Sequence, residues 1–217
     1  MNDLKESKPV EELVSTTTGN SFIPKVHLFL VTHDPAEWFE EVLQGIASQD
    51  YKSLDVTVVD TTRRAAIEEK VKLMLPDSNF LHSKRSPGFS AITSADLQTA
   101  EEHLFYFFVT DEIVLDATAV RRVVESALEL NAGVAGLKVL GGENTEFLQE
   151  VGSSVDRYGT TVPRHQFNEI DQGQYDGKKE VFAASSSAFL VRKDLFETAG
   201  GFDPLLGLVD GHTDLCW

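Results

Sequence analysis

The sequence predicts an α/β fold: a mostly parallel central sheet with helices on both faces and a small β and loop extension. Three observations carry that prediction. Apolar-rich runs at residues 26–31 (VHLFLV), 54–59 (LDVTVV) and 104–109 (LFYFFV) each stop at polar residues, as strands buried on both faces of a parallel sheet do. Segments with apolar residues at helical spacing separate these runs, and alternation of strand and helix implies parallel pairing with right-handed crossovers. At 217 residues, with 41% hydrophobic and 25% charged residues, the chain is long enough for one sizeable α/β domain or two small ones.

Residues 1–23 are polar, include the run Ser-Thr-Thr-Thr-Gly-Asn-Ser and show no periodicity, so they are expected to form a mobile leader. The first strand ends at Thr32, His33 and Asp34. Asp34, Pro35 and Glu37 then read as a helix start, with Asp34 as N-cap and Pro35 at the first helical position. Trp38, Phe39, Val42, Leu43 and Ile46 make the buried stripe of that helix. The second strand ends at Asp60, Thr61 and Thr62, and a helix over 63–75 follows, stopped by Pro76. A short strand at 79–82 precedes Lys84, Arg85, Ser86, Pro87 and Gly88, a basic patch in an acidic chain. This patch is either a solvated loop or one whose cations and backbone amides face a pyrophosphate.

A helix over 91–102 leads into the strand 104–109, which stops at Thr110, Asp111 and Glu112. In open α/β sheets ligands bind outside the carboxyl ends of the strands, so these carboxylates either face a ligand or begin a solvated loop. Asp116 is the expected cap of a helix that buries Val120, Val123, Val124, Ala127 and Leu128. Residues 133–140 are strand-like, and 147–178 are expected to form hairpins and loops across one end of the sheet, with the polar run Asp171-Gln172-Gly173-Gln174-Tyr175-Asp176. Residues 181–191 return to strand character with three central serines, and a helix over 193–198 ends at Gly200 and Gly201.

The formal net charge of -16 disfavours binding to nucleic acid or to anionic lipid, so a nucleotide ligand needs a cation to offset repulsion. Cys216 is the only cysteine and forms no intrachain disulfide. No stretch approaches the length of a membrane span and the N-terminus lacks a secretory signal, so a cytoplasmic location is expected. No Gly-x-Gly-x-x-Gly follows the first strand, which disfavours a nicotinamide-dependent dehydrogenase.

Several segments together resemble the family 2 glycosyltransferases, inverting enzymes of the GT-A fold that use nucleotide-sugar donors. They are the start VHLFLVTHDPAEWFEEVLQGIASQDY with its closing Ser48-Gln49-Asp50-Tyr51, the strand VTVVD, the Thr110-Asp111-Glu112 element, and FLVRKDLFETAGGFDP followed by DLCW. EIDQGQYD together with VFAASSSAFLVRKDLF further resembles the subgroup in large cell-envelope glycosyltransferases of actinobacteria. The matches run from about residue 25 to Trp217, and their order and spacing carry the resemblance.

The resemblance implies a UDP-sugar or similar donor and a cell-envelope glycan or lipid-linked acceptor. It implies Asp60 at the nucleotide base, Thr32, Asp34 and Gly88 around the nucleotide, and Asp111 and Glu112 at the diphosphate with a divalent metal, Mg2+ or Mn2+. This sequence departs from the family at four places. Thr110 and Glu112 stand where the metal element has Asp, Ser94 stands for an Asn, and His212 stands for the base carboxylate. His212, oriented by Asp210 or Asp214, is either a replacement base or a loop residue of a site that has lost one, and Asp214 also reads as a helix cap. Cys216 and Trp217 read as packing residues. The alternative function is a catalytically degenerate GT-A domain acting as a binding or scaffold module. The family continues past the position of Trp217, so the domain at 24–217 is expected to be truncated. Its continuation would complete the acceptor side, with membrane segments in a longer parent protein and a place at the inner face of the membrane.

Overall fold

The structure is a computed structural model that describes residues 23–62, 65–84, 88–92, 97, 102–142, 145–203, 205–206 and 211–217. Nearly all of the expected leader lies outside the described residues, as do Arg63, Arg85, Ser86, Pro87, Ser94, Asp210 and most of the helix expected at 91–102. In chain order the elements are β1 (Val26–Thr32), α1 (Phe39–Ala47), β2 (Leu54–Asp60), α2 (Ala65–Met74), β3 (Asn79–His82), a 3-10 turn (Phe89–Ala91), β4 (Phe105–Thr110), α3 (Ala119–Glu129), β5 (Val134–Gly136), β6 (Val139–Leu140), β7 (Leu148–Glu150), β8 (Ser153–Val155), β9 (Thr161–Pro163), β10 (Ala188–Arg192), α4 (Lys193–Ala199) and α5 (Gly211–Cys216).

Six strands form one sheet in the order β3-β2-β1-β4-β10-β5. β1 to β4 pair in parallel, whereas β10 runs antiparallel to both β4 and β5. From β1 the chain winds outward through β2 to β3 and then returns to β4 on the other side of β1. The order therefore reverses between β1 and β4, which makes their carboxyl ends the topological switch point.

The sheet is buried because its central strands are apolar on both faces. Val26, Leu28 and Leu30 of β1 and Phe105, Phe107 and Val109 of β4 pack with the stripes of α1, α2 and α3. The alternate residues Phe29, Val31, Tyr106 and Phe108 pack on the other face with Phe89, Phe189, Phe196 of α4, Phe202 and Leu215 of α5. Helices thus cover both faces, as expected. Phe108 sits among the rings of Phe29, Phe89, Phe189, Phe196 and Phe202, with centroids 4.8 to 5.6 Å away.

Several elements differ from the sequence expectation. Asp34 does not cap α1: it takes φ 58°, a left-handed turn open to Asp, and the helix begins later, with Trp38 as N-cap. Trp38 therefore falls off the buried stripe and is 48% exposed. Asp116 is likewise displaced from the cap of α3, which is Thr118. Its Oδ1 accepts from the Thr118 amide (2.9 Å) and hydroxyl (2.6 Å), forming the turn that precedes the helix.

The distal Gln49 supplies the missing side-chain partner, since its Oε1 accepts from Val120 N at 3.0 Å and its Nε2 donates to Asp116 O at 2.7 Å. The Ser48-Gln49-Asp50-Tyr51 segment is thus structural, and Tyr51 Oη donates to Pro24 O at 2.6 Å. Gly45 lets α1 approach this region: a Cβ there would meet Leu115 O at 2.9 Å.

The strand expected at 133–140 is divided between β5, in the main sheet, and β6, which pairs with β7. The expected hairpin is β8–β9. Lys138 bridges Asp171 and Asp176, closing the polar run into a loop. Of the run 181–191 only the part after the serines enters the sheet. α4 ends at Gly200, φ 92°, as its glycine pair predicted. Asp214 lies inside α5 rather than capping a later helix.

At the amino end of the sheet His27 is 1% exposed, stacked on Phe29 and tilted against His103, while His103 Nε2 meets Asp55 Oδ2 at 2.9 Å. Burial first, then His103 beside it, push the His27 imidazole down to about 4. The folded state keeps this ring neutral where the unfolded chain protonates it, so stability is complete above pH 6.5 and falls as pH drops toward 4, by on the order of 3 kcal/mol. Urea denaturation at pH 7 and pH 5 is expected to show about 2 kcal/mol of that loss, and His27→Gln is expected to flatten it; an unchanged slope in the variant contradicts the assignment. Phe108→Ala is expected to cost about 3–5 kcal/mol in the same measurement at pH 7.

Candidate functional site

The predicted nucleotide and metal residues lie along the carboxyl edge of the sheet, around the switch point. β1 ends at Thr32, directly across from Asp60 on β2, and Val31 pairs with Thr110 on β4. Just past these pairs, polar side chains link the strand ends.

Thr32 Oγ1 donates to Asp111 Oδ2 at 2.7 Å, and the His33 amide donates to the same oxygen at 2.9 Å. Asp111 N in turn donates to Val31 O at 3.2 Å. Thr32 is fully buried, so its hydroxyl bears on the strand edge only through Asp111. Among the described residues no donor reaches Asp111 Oδ1. One carboxylate oxygen is therefore fixed by two donors, while the other keeps its acceptor capacity among the described residues.

His33 extends this network across the edge. Its Nδ1 lies 2.7 Å from Thr61 Oγ1, and the Thr61 hydroxyl donates to Thr32 O at 3.0 Å. Asp60 is buried with 0% exposure. Its Oδ1 accepts from Thr62 N (2.8 Å) and Thr62 Oγ1 (2.7 Å), and its Oδ2 lies 3.2 Å from His82 Nδ1. His82 Nε2 lies 3.5 Å from Glu68, whose carboxyl Lys72, above all, holds below the usual range. In this arrangement Asp60 shapes the 60–62 turn from inside.

Gly88 takes φ 98° and ψ -178°, a conformation open essentially to glycine alone. It starts the Phe89–Ala91 turn, and Ser83 Oγ donates to Ala91 O at 3.0 Å while Ser83 N donates to Asp60 O at 2.8 Å. Gly88 is thereby tied to the edge where β2 and β3 end. Lys84, the described cation of the basic patch, is exposed.

Glu112 is exposed beside Asp111, and Asp34 is exposed on its left-handed turn. His212 stands in the first turn of α5 with Nε2 3.2 Å from Thr213 Oγ1. α5 is held by Leu215 in the core and by the Trp217 ring, which meets Phe182 at 5.3 Å. Burial pushes the Cys216 thiol above its ordinary range, consistent with packing, whereas Trp217 is 76% exposed. Asp210 lies outside the described residues.

A second polar cluster adjoins Asp111 from the β10 side. Ser187 O accepts from Thr110 N at 2.9 Å, and Ser186 and Ser187 donate to Glu150. Sequence reasoning passed over Glu150 and His33. The three consecutive serines were the available signal, but their partner is 36 and 37 residues away. A cavity of about 830 Å³ lies elsewhere, beside β8 and β9, lined by Ser153, Arg164, Tyr175 and Phe182 among others. It contains none of the predicted site residues; the switch-point edge has the better claim, because there the fold gathers the carboxylates.

Among the described residues no helix is long and apolar enough to cross a membrane. No protein-family model matches the sequence, and no curated protein matches it. Solved structures do match in three dimensions. The crystal structure of residues 1–349 of TarS from S. aureus aligns with TM-score 0.56 and 18% identity over 89% of this chain and 55% of that one. The mannosyltransferase PcManGT from Pyrobaculum calidifontis, in complex with GDP-Man and Mn2+, aligns with TM-score 0.57 and 16% identity over 89% and 51%. TarS 1–349 in complex with UDP aligns with TM-score 0.55 and 16% identity over 88% and 54%. The present chain thus spans 51–55% of the length of these three. At such identities the likeness is one of fold, and it places the chain in the GT-A type of α/β architecture.

Proposed function

We propose that the chain is the donor-binding portion of an inverting family 2 glycosyltransferase, moving a sugar from a nucleotide-diphosphate sugar, with UDP-sugars favoured, to a cell-envelope glycan or lipid-linked acceptor. The observation that carries this reading is the Asp111 carboxylate held at the β1–β4 switch point by Thr32 and the His33 amide. A PcManGT structure with GDP-Man and Mn2+, and TarS structures with UDP and UDP-GlcNAc, share the fold and support it.

The residues present fit a hard dication. Asp111 offers one open oxygen with the other pinned, and Glu112 is an exposed carboxylate next to it. Among the described residues no group of three or more acidic, His or Cys side chains gathers to hold an ion alone. That suits Mg2+ or Mn2+, which take one or two carboxylates and complete their shells with phosphate oxygens and water. Bound there, the ion would neutralise charge on the departing diphosphate.

The protein's own residues have separate tasks. Thr32 and His33 fix Asp111, Asp60 and Thr62 shape the nucleotide side, and Gly88 opens the backbone turn at that end. In the transfer, an acceptor hydroxyl oxygen attacks the anomeric carbon, the bond from that carbon to the diphosphate oxygen breaks, and the hydroxyl proton passes to a base. His212, with Asp210 beside it in sequence, is the proposed base, since a neutral imidazole accepts a proton near pH 7. A second reading, a noncatalytic binding module on the same fold, is favoured by Thr110 and His212 at positions where the family carries carboxylates. Turnover that disappears in His212→Ala and persists in a surface variant would exclude it.

Calorimetric titration with UDP in the presence of Mn2+ is expected to show binding that EDTA abolishes. Thr32→Val, which keeps the buried shape but removes the donor to Asp111, is expected to weaken UDP–Mn2+ binding about tenfold, the scale of one hydrogen bond to a charged group. Equal binding by wild type and variant would remove Asp111 from the site.

A further inference from the structure

We propose that Glu150, Ser186 and Ser187 form the subsite that binds the hydroxyls of the donor's sugar ring. The inference rests on the nucleotide-sugar reading above and assigns residues that reading leaves unused.

The cluster is built from two distant segments. Ser186 Oγ donates to Glu150 Oε1 at 2.5 Å, Ser187 Oγ donates to the same oxygen at 2.8 Å, and Ser187 N donates to Oε2 at 3.2 Å. The first serine of the run is different: Ser185 is buried, donates to Ala188 O at 2.7 Å and accepts from Leu137 N at 3.0 Å. It holds β5 to β10, while its two neighbours and Glu150 remain partly exposed.

Hydrogen-bond direction decides what this subsite takes. Both hydroxyl hydrogens and the Ser187 amide point to Glu150, so what remains for a ligand is the lone pairs of two hydroxyls and a carboxylate. A surface of acceptors with a negative charge repels phosphate and receives O–H donors, which a pyranose ring supplies on adjacent carbons.

Position decides whose hydroxyls they are. Ser187 O accepts from Thr110 N at 2.9 Å, so the cluster flanks Asp111 on the β10 side, whereas Thr32 and His33 flank it on the β1 side. Across the edge in the order β2, β1, β4, β10 stand Asp60, then Thr32 and His33, then Asp111, then Ser187 with Glu150. At about 4.8 Å per strand this row spans roughly 14 Å. Nucleoside, diphosphate and sugar follow the same linear order, and with the diphosphate at Asp111 the sugar falls at Glu150.

The test is calorimetry on the full chain with Mn2+, comparing UDP with UDP-glucose, UDP-galactose and UDP-GlcNAc, and GDP with GDP-mannose. Wild type is expected to bind one nucleotide sugar more tightly than its own nucleoside diphosphate. Glu150→Gln is expected to lower that sugar's affinity about tenfold while leaving the nucleoside diphosphate within twofold. Ser186→Ala, which keeps the carboxylate and its other donors, is expected to show the same selective loss to a smaller extent. Variants that retain the sugar preference, or that weaken sugar and nucleoside diphosphate equally, overturn the assignment, as does a wild type with no preference for any of the sugars. Failure of UDP and GDP themselves to bind overturns the donor reading and this inference with it.

Discussion

The hydrogen bond from Thr32 to Asp111 is the contact on which the proposed site depends. It joins the ends of the two central parallel strands. A carboxylate on a free turn samples many rotamers and aims at nothing. Here the threonine is buried in the sheet and the His33 amide shares the same oxygen, so Asp111 is oriented by the core and not by its own loop. The aromatic packing around Phe108 bears on the site through this link, because it fixes β4 against β1 on one face while the stripes of α1 and α3 fix the other.

Electrostatics sets the second constraint. A chain with net charge -16 that binds a diphosphate must supply or recruit positive charge. The edge itself offers the exposed Lys84 and, among the described residues, an Asp111 oxygen with acceptor capacity left for a cation, while Asp60 is turned inward and bonded to Thr62 and His82. The negative groups are thus sorted by neighbour. Asp60 supports a turn, Asp111 is half engaged, and Glu150 is held by serines on the far side, where an uncharged sugar suits an acceptor-rich surface.

What was legible in the sequence was the part decided by local pattern. The runs ending at Thr32, Asp60 and Thr110 marked three parallel strands and their carboxyl ends, and the stripe from Phe39 to Ile46 marked α1. Cap assignments failed where a short polar residue had another local option. Asp34 entered a left-handed turn and Asp116 closed a turn on Thr118, and in both cases the helix began later. The cap that α3 does receive comes from Gln49, 71 residues away from Val120, and no spacing rule reaches that far. The same limit hid Glu150, whose serine partners come from a segment that meets it only after β10 turns antiparallel to β4. His33 was visible as a strand-end residue, but its bond to Thr61 depends on the register of β1 against β2.

The central claim is that Asp111, pinned by Thr32, marks the donor position between β1 and β4. A crystal structure of the chain grown with UDP and Mn2+, with the anomalous signal of manganese recorded, tests it most directly. The account predicts nucleotide density along the carboxyl edge from Asp60 toward β4, an anomalous peak against Asp111, and Asp111 Oδ2 still accepting from Thr32. Nucleotide seated elsewhere, for example in the cavity beside β8 and β9, or an Asp111 carboxylate turned away from Thr32, would contradict it.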